Sequence, residues 1–273
     1  MMRSHSPIDM TIPQHISDLT RITLEKAPYS RFFMACEGGG TEPGYFRALK
    51  RAGKSVGINP NIKIEIWHKP EKENHTRPDL VFGWALGVLE EKIKQGEFDS
   101  SMDYLAVAFD TDGKTSNEVI RRIIGEAQEK NTQIISEVGR DAVYGDCIHL
   151  MVTHPAFELF LLLHKEKDVA YEKCTLPDKD MDALDLICKH KDPILANEMH
   201  PDNISQRYIC GLLSLLFHKN SKSPGSWNPF ARKVKIAIEN EKSPLINKDI
   251  SNAVGQLTSN VATTIEQLLM MKN

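Results

Sequence analysis

Phe32-Phe33-Met34-Ala35-Cys36-Glu37-Gly38-Gly39-Gly40-Thr41-Glu42-Pro43 is the stretch that decides the fold of this 273-residue chain. A continuous apolar run stops at a carboxylate and three glycines, which is how a strand buried on both faces hands over to a loop. A helix follows over 42–52, with Phe46 and Leu49 on one side, Pro43 at a tolerated first-turn position and Gly53 near its end. Strand, glycine turn and helix in that order open an α/β layer structure.

The alternation continues outward. A second strand is expected over 62–67 and a second helix over 80–94, where Leu80, Val81, Trp84, Ala85, Val88 and Leu89 repeat at helical spacing after an Asp79 cap. The run 104–109, Tyr-Leu-Ala-Val-Ala-Phe, is the strongest strand. It leads into Asp110-Thr111-Asp112-Gly113 and a helix opened by the capping box Thr115 and Glu118. Two more strands are expected over 133–138 and 147–152, the latter running into a helix over 154–164 with Pro155 in its first turn. The fold class is therefore α/β, a mostly parallel sheet flanked by helices.

Beyond residue 181 only helices are expected: 181–189, 204–219, 229–240 capped by Asn228, and one long amphipathic helix over 249–271. The chain divides into an N-terminal arm over 1–28, with a short helix near 17–26, an α/β domain over 29–166 and a helical C-terminal region over 167–273. That region is either a separate domain or a cap folded onto the first. Its last helix would cover its own core or form a homodimer.

Composition narrows the classes of function. No run of eighteen apolar residues and no basic-then-apolar leader is present, so a cytoplasmic protein without membrane contact is expected. Five cysteines with no CxxC pair fit reduced thiols. A net charge of -3 argues against unaided gripping of long nucleic acid, which needs a basic surplus, so any such contact is local, brief or assisted.

In an open parallel sheet, ligands bind beyond the carboxyl ends of the strands. Glu37 follows the first strand and Asp110 and Asp112 follow the central one, so three carboxylates distant in sequence converge on one edge. Hard oxygen donors of this kind suit Mg²⁺ or Mn²⁺, and three anions packed without a cation would hold protons instead. Such a site can polarise a phosphodiester and generate a hydroxide nucleophile. Glu37 is the candidate for proton transfer, and Asp110 and Asp112 are the stronger ligand candidates. Arg47, Lys50, Arg51 and Lys54 share one face of the first helix, either as a holder of phosphate backbone or as a solvated face. Neither a complete GxGxxG nor a P-loop is present, since Pro43 and Tyr45 stand where glycine and lysine are needed.

Three blocks now carry a resemblance. The segment from Ala35-Cys36-Glu37-Gly38 to Thr41-Glu42-Pro43 and Tyr45-Phe46, then Phe109-Asp110 with Asp112, then His154-Pro155 with Phe157-Glu158 and Leu161 to His164, resembles the RloB-like family of Toprim proteins over 31–164. The resemblance implies a Toprim metal-binding fold with Glu37, Asp110 and Asp112 in its acidic positions. It also brings Glu42, Glu158 and His164 in as further site candidates. Six residues put Glu158 and His164 on different helix faces, and His164, sharing one with Phe157, Phe160 and Leu161, reads either as a catalytic or as a buried structural His. The implied activity is that of a Mg²⁺-dependent nuclease on RNA or DNA, an antiphage effector working with an ABC-like ATPase. A different class, a non-catalytic regulatory subunit of such a complex, is the alternative, and a primase-like polymerase is disfavoured by the lack of a zinc module. The family usually has Asn where this chain has His154, so Thr153 or the His154 ring is expected to cap the third helix.

Overall fold

Alternation at every second residue sorts β1 (Ser30–Cys36) between two helical layers. Phe32, Met34 and Cys36 enter one core and Phe33 and Ala35 the other, because successive strand side chains point to opposite faces. The computed structural model describes residues 30–67, 69, 77–111, 115–138, 145–165, 209, 213, 227–244 and 246–271. Within them follow α1 (Thr41–Val56), β2 (Ile62–Trp67), α2 (Pro78–Lys94), β3 (Tyr104–Asp110), α3 (Asn117–Val138), β4 (Ile148–His154) and α4 (Glu158–Leu162). The order ends with α5 (Asn228–Arg232), α6 (Val234–Glu241), β5 (Thr258–Ser259) and α7 (Val261–Met270). The sheet order is β2-β1-β3-β4-β5, parallel through the first four strands and antiparallel at β5. This is the expected class: α/β, Rossmann-like and mostly parallel, with helices in the C-terminal region.

The layers position the site. Side chains of α1, α4, α5, α6 and α7, with Ile209 and Leu213, fill the core on one face, and those of α2 and α3 fill the other. The connection leaving β1 therefore crosses one face toward β2, and the connection leaving β3 crosses the opposite face toward β4. The winding reverses between β1 and β3, and loops leaving those two strands part there to open a crevice.

Local causes explain where elements begin and end. Helix α1 runs through Gly53 to Val56 and stops at Gly57, which takes a left-handed φ of 97°. Pro78 fills the first position of α2, so Asp79 lies inside the first turn and does not cap it. Helix α3 starts after Ser116, whose Oγ accepts the Val119 N–H at 3.4 Å; the expected Thr115 box does not open it.

The strand expected over 133–138 is the last part of α3. Ile120, Ile123, Ala127, Asn131 and Ile134 form one buried stripe at steps of three and four, and that burial overrides the β-branched residues near the end. Asn131 then pins the start of β4, accepting the Cys147 and Ile148 amides at 3.0 and 2.8 Å and donating to the Ile148 carbonyl at 3.0 Å.

Two further expectations are corrected. The helix over 154–164 shrinks to Glu158–Leu162, with Pro155 outside it, and neither Thr153 nor His154 caps it. The long helix over 249–271 does not form. Asp249 Oδ1 accepts the Ser251 N–H at 3.0 Å to open a 3-10 turn, Gly255 takes a φ of 90°, and Thr258–Ser259 pair with the end of β4. Asn260 hooks this segment on, its side chain accepting the Val152 N–H and donating to the Leu150 carbonyl, both at 2.7 Å. Glu241 takes the free amides of Ala262 and Thr263 at 3.0 and 2.7 Å, so α7 starts only at Val261.

The helix over 229–240 is likewise broken at Lys233 into α5 and α6, and Asn228 does not cap it. Trp227 seats its indole directly on the Gly44 backbone, in space a Cβ would occupy. The arm over 1–28, the helix over 181–189 and all of 204–219 except Ile209 and Leu213 lie outside the described residues. Among the described residues no helix is long and apolar enough to cross a membrane.

Candidate functional site

Glu37 is the first residue past β1, and its amide extends the ladder by donating to the Ala108 carbonyl at 2.9 Å. Its side chain turns toward the same neighbour, Oε2 accepting the Asp110 N–H at 2.9 Å. Asp110 ends β3 in register with Thr153 of β4, and the Thr153 hydroxyl donates to Asp110 Oδ1. Two more carboxylates close in from the helices. Glu42 in the first turn of α1 and Glu158 at the start of α4 are 7% and 6% exposed, and both act electrostatically on Asp110. The Glu42 carboxylate lies over Gly38 where a Cβ would stand, so any larger residue there would displace it.

The electrostatics follow from this crowding. Burial first, then the charge of Glu42, hold the Asp110 carboxyl well above its usual range; Glu37 and Glu158 add to the effect and the Thr153 hydroxyl opposes it. Glu42 is pushed up to about 7 by burial, with Glu158 adding and Lys69 and backbone amides opposing. Lys69, just past β2, donates from Nζ to the Glu37 carbonyl at 3.0 Å.

In kind, the donor set fits a hard divalent cation, because it offers carboxylate oxygens that otherwise keep protons. Among the described residues no three His, Cys, Asp or Glu side chains already stand as a coordinating group. Glu37 is engaged by the Asp110 amide and Asp110 by Thr153. Asp112 lies outside the described residues.

His154 locks the exit of β3. Its Nε2 accepts the Gly255 N–H at 3.2 Å, so Nδ1 carries the proton and donates to the Thr111 carbonyl at 2.7 Å. The ring thus ties the residue after Asp110 to the C-terminal segment. His164 goes elsewhere. Fully buried, it faces the Phe160 carbonyl through Nδ1 at 3.1 Å, which leaves Nε2 to accept the Tyr45 hydroxyl at 3.0 Å. Phe160 and Phe230 stand edge-on to the ring at 4.9 and 5.7 Å. Burial lowers its pKa to about 3. The structure brings Glu37, Glu42, Asp110 and Glu158 together and puts His164 in an aromatic nest.

The basic residues run along α1. Lys50, Arg51 and Lys54 are exposed, and Arg51 donates to Asn228 Oδ1 at 3.1 Å. Arg47 is partly buried, and its charge reaches Cys36 beside Glu37.

The model of the family described as RloB-like protein matches residues 32–270, nearly the whole chain. The chain belongs to the RloB-like family. No curated protein and no solved structure matches it. In this RloB-like chain the sequence reading missed Thr153 as partner of Asp110, Lys69 beside Glu37, and His154 as a lock. One signal could have found the first two: residues at the carboxyl ends of β2 and β4 reach the same sheet edge as Glu37 and Asp110.

Proposed function

We propose that this RloB-like protein is a Toprim-type phosphodiesterase, cleaving RNA or DNA with Mg²⁺ or Mn²⁺ and acting in antiphage defence beside an ATPase partner. The observation that carries the reading is the meeting of Glu37, Glu42, Asp110 and Glu158 at the switch point, where burial and the neighbouring charges raise the proton affinities of Glu42 and Asp110. Nothing about stability favours such a set, and its chemistry is that of a cation site.

Asp110 and Glu37 would hold the cation, with Glu42 and Glu158 behind them and Asp112, two residues further along the sequence, as a further ligand candidate. A bound divalent ion lowers the pKa of water and neutralises charge on a phosphoryl oxygen. The chain's own residues do the rest. Thr153 fixes the Asp110 carboxylate, as the partner of a ligand does, and the Asp110 amide fixes the Glu37 carboxylate, the group assigned to proton transfer. The basic face of α1, starting beside Glu37, holds the phosphate backbone.

The test is a cleavage panel of tRNA, single-stranded RNA and plasmid DNA, with Mg²⁺, Mn²⁺ or EDTA, run with and without the co-encoded ATPase. The expected result is cation-dependent cleavage by the wild type and at least about a hundredfold loss in Asp110→Ala. Cleavage of no substrate in any arm, or undiminished cleavage by Asp110→Ala, contradicts the proposal.

A further inference from the structure

The basic stripe of α1 does not end on its own helix. With Trp227 seated on Gly44, α5 lies against α1, and Arg51 reaches across to Asn228. Between the two helices runs an open groove of about 670 Å³ lined by Arg51, Ala52, Lys54, Ser55, Asn228 and Arg232. A second groove of about 600 Å³ continues from it past Lys50 and Lys54 toward Lys63. Lys235 of α6 points its Nζ to within 3.8 Å of the Cβ position of Gly57, at the far end of α1. No acidic side chain among the described residues lines either groove.

Charge has been sorted here. A chain of net charge -3 collects exposed Lys50, Arg51, Lys54, Arg232 and Lys235 from regions about 180 residues apart in sequence. Lys54 at a helix end can be read as an answer to the helix dipole. Arg232 also closes its helix, but α5 is only five residues long and its dipole small, and Arg51, facing the same groove from within α1, is not explained that way.

Length selects the occupant. At 1.5 Å per residue, α1 carries Lys54 roughly 20 Å from its first turn, which begins beside Glu37. A free phosphate or a mononucleotide is too short to touch both ends. A polynucleotide strand of several nucleotides is long enough, and its evenly spaced phosphates match a row of cations.

We propose that the groove between α1 and α5 holds the phosphodiester backbone of a nucleic-acid strand several nucleotides from the scissile bond, with Lys54 and Arg232 as phosphate ligands. What such binding leads to rests on the phosphodiesterase reading, whereas the binding itself is measurable without cleavage. The C-terminal region then has a direct function: it supplies one wall of the substrate path.

The test is fluorescence anisotropy of a labelled single-stranded RNA and a duplex DNA of the same length, in EDTA, over a salt series. The proteins are the full-length wild type, the double variant Lys54→Ala/Arg232→Ala, and Lys94→Ala on α2 across the sheet as control. The expected result is roughly tenfold weaker binding by the double variant. Its slope of log affinity against log salt is also shallower by about 1.4 for a single strand or 1.8 for a duplex, with the control unchanged.

Whichever probe shows the change identifies the strand form held. An unchanged affinity and slope in the double variant, or no binding of either probe by the wild type, overturns the proposal. A wild type that binds with the expected salt slope in EDTA but cleaves no substrate in the Mg²⁺ and Mn²⁺ arms of the cleavage panel refutes the phosphodiesterase reading and leaves the groove standing.

Discussion

Helices α1 and α4 meet at two places that treat buried polar groups in opposite ways. At one, the charge of Glu158 bears on buried Glu42 and Asp110, whose proton affinities rise. At the other, Tyr45 donates to His164 inside a ring of Phe157, Phe160 and Phe230, and both groups stay neutral. The second arrangement obeys the ordinary rule that a buried donor finds an acceptor. The first is hydrogen-bonded too, Glu37 to the Asp110 amide and Asp110 to Thr153, but it crowds buried carboxylates of like charge at the sheet's switch point. The difference separates a polar pair kept for packing from a polar set kept for chemistry.

The comparison can be broken at its stable side first. His164→Ala removes a ring from the nest and strands the Tyr45 hydroxyl, so urea unfolding should show a loss of about 3–5 kcal/mol. Cleavage per folded molecule should be kept. A loss below about 1 kcal/mol would mean that the nest is not structural.

The same residue gives a pH signature. His164 is held to about 3 in the fold against an ordinary 6.5, so the unfolded chain takes its proton first as pH falls. Its stabilising contribution is therefore present above about 6.5 and drains away toward 3, at about 1.4 kcal/mol per pH unit. Glu42, pushed up to about 7 from 4.5, works the other way and adds stability as pH falls through that window. His164→Asn isolates the first effect. The stability of the wild type minus that of this variant should shrink by about 2 kcal/mol between pH 6.5 and 5, and a flat difference contradicts the assignment.

Gly44→Ala sets two effects against each other. Helix propensity favours alanine by up to about 1 kcal/mol, but the added methyl meets the Trp227 indole, and overpacking costs about 1–3 kcal/mol. A net loss of about 1–2 kcal/mol in thermal or urea unfolding is expected, and a gain would show that α5 is not docked on α1. The smallest effect belongs to the acidic side. Glu42→Gln removes one of the crowded charges and should stabilise the cation-free protein by about 1 kcal/mol at pH 8 while lowering cleavage; destabilisation would show Glu42 to be a structural acid.

How much of this was legible in the sequence differs by region. Strands β1 and β3 read directly, because each is an apolar run with both faces buried, and Glu37 and Asp110 were found from their place just past or at the end of such runs. Strand β2, at the sheet edge, read from the apolar residues alternating with Lys63 and Glu65. The end of α3 did not read, since Ile134, Ile135 and Val138 look like a strand until the stripe from Ile120 is seen to continue. Strand β5 was invisible. Thr258 and Ser259 have no apolar signal and become a strand only because β4 has an open edge and Asn260 hooks onto it. Spacing put His164 on a different face from Glu158, among Phe157, Phe160 and Leu161, but the choice between a structural and a catalytic His depended on Tyr45, distant in sequence.

The most direct measurement of the central claim is the thermal unfolding midpoint of wild type and Asp110→Asn across a Mg²⁺ or Mn²⁺ titration. A cation held by the carboxylates stabilises only the folded chain, by about 2.7 kcal/mol at a hundred times its dissociation constant, which is a rise of roughly 5 °C or more. The account predicts that rise in the wild type and its disappearance in Asp110→Asn. An equal rise in both proteins, or none in the wild type, would contradict it.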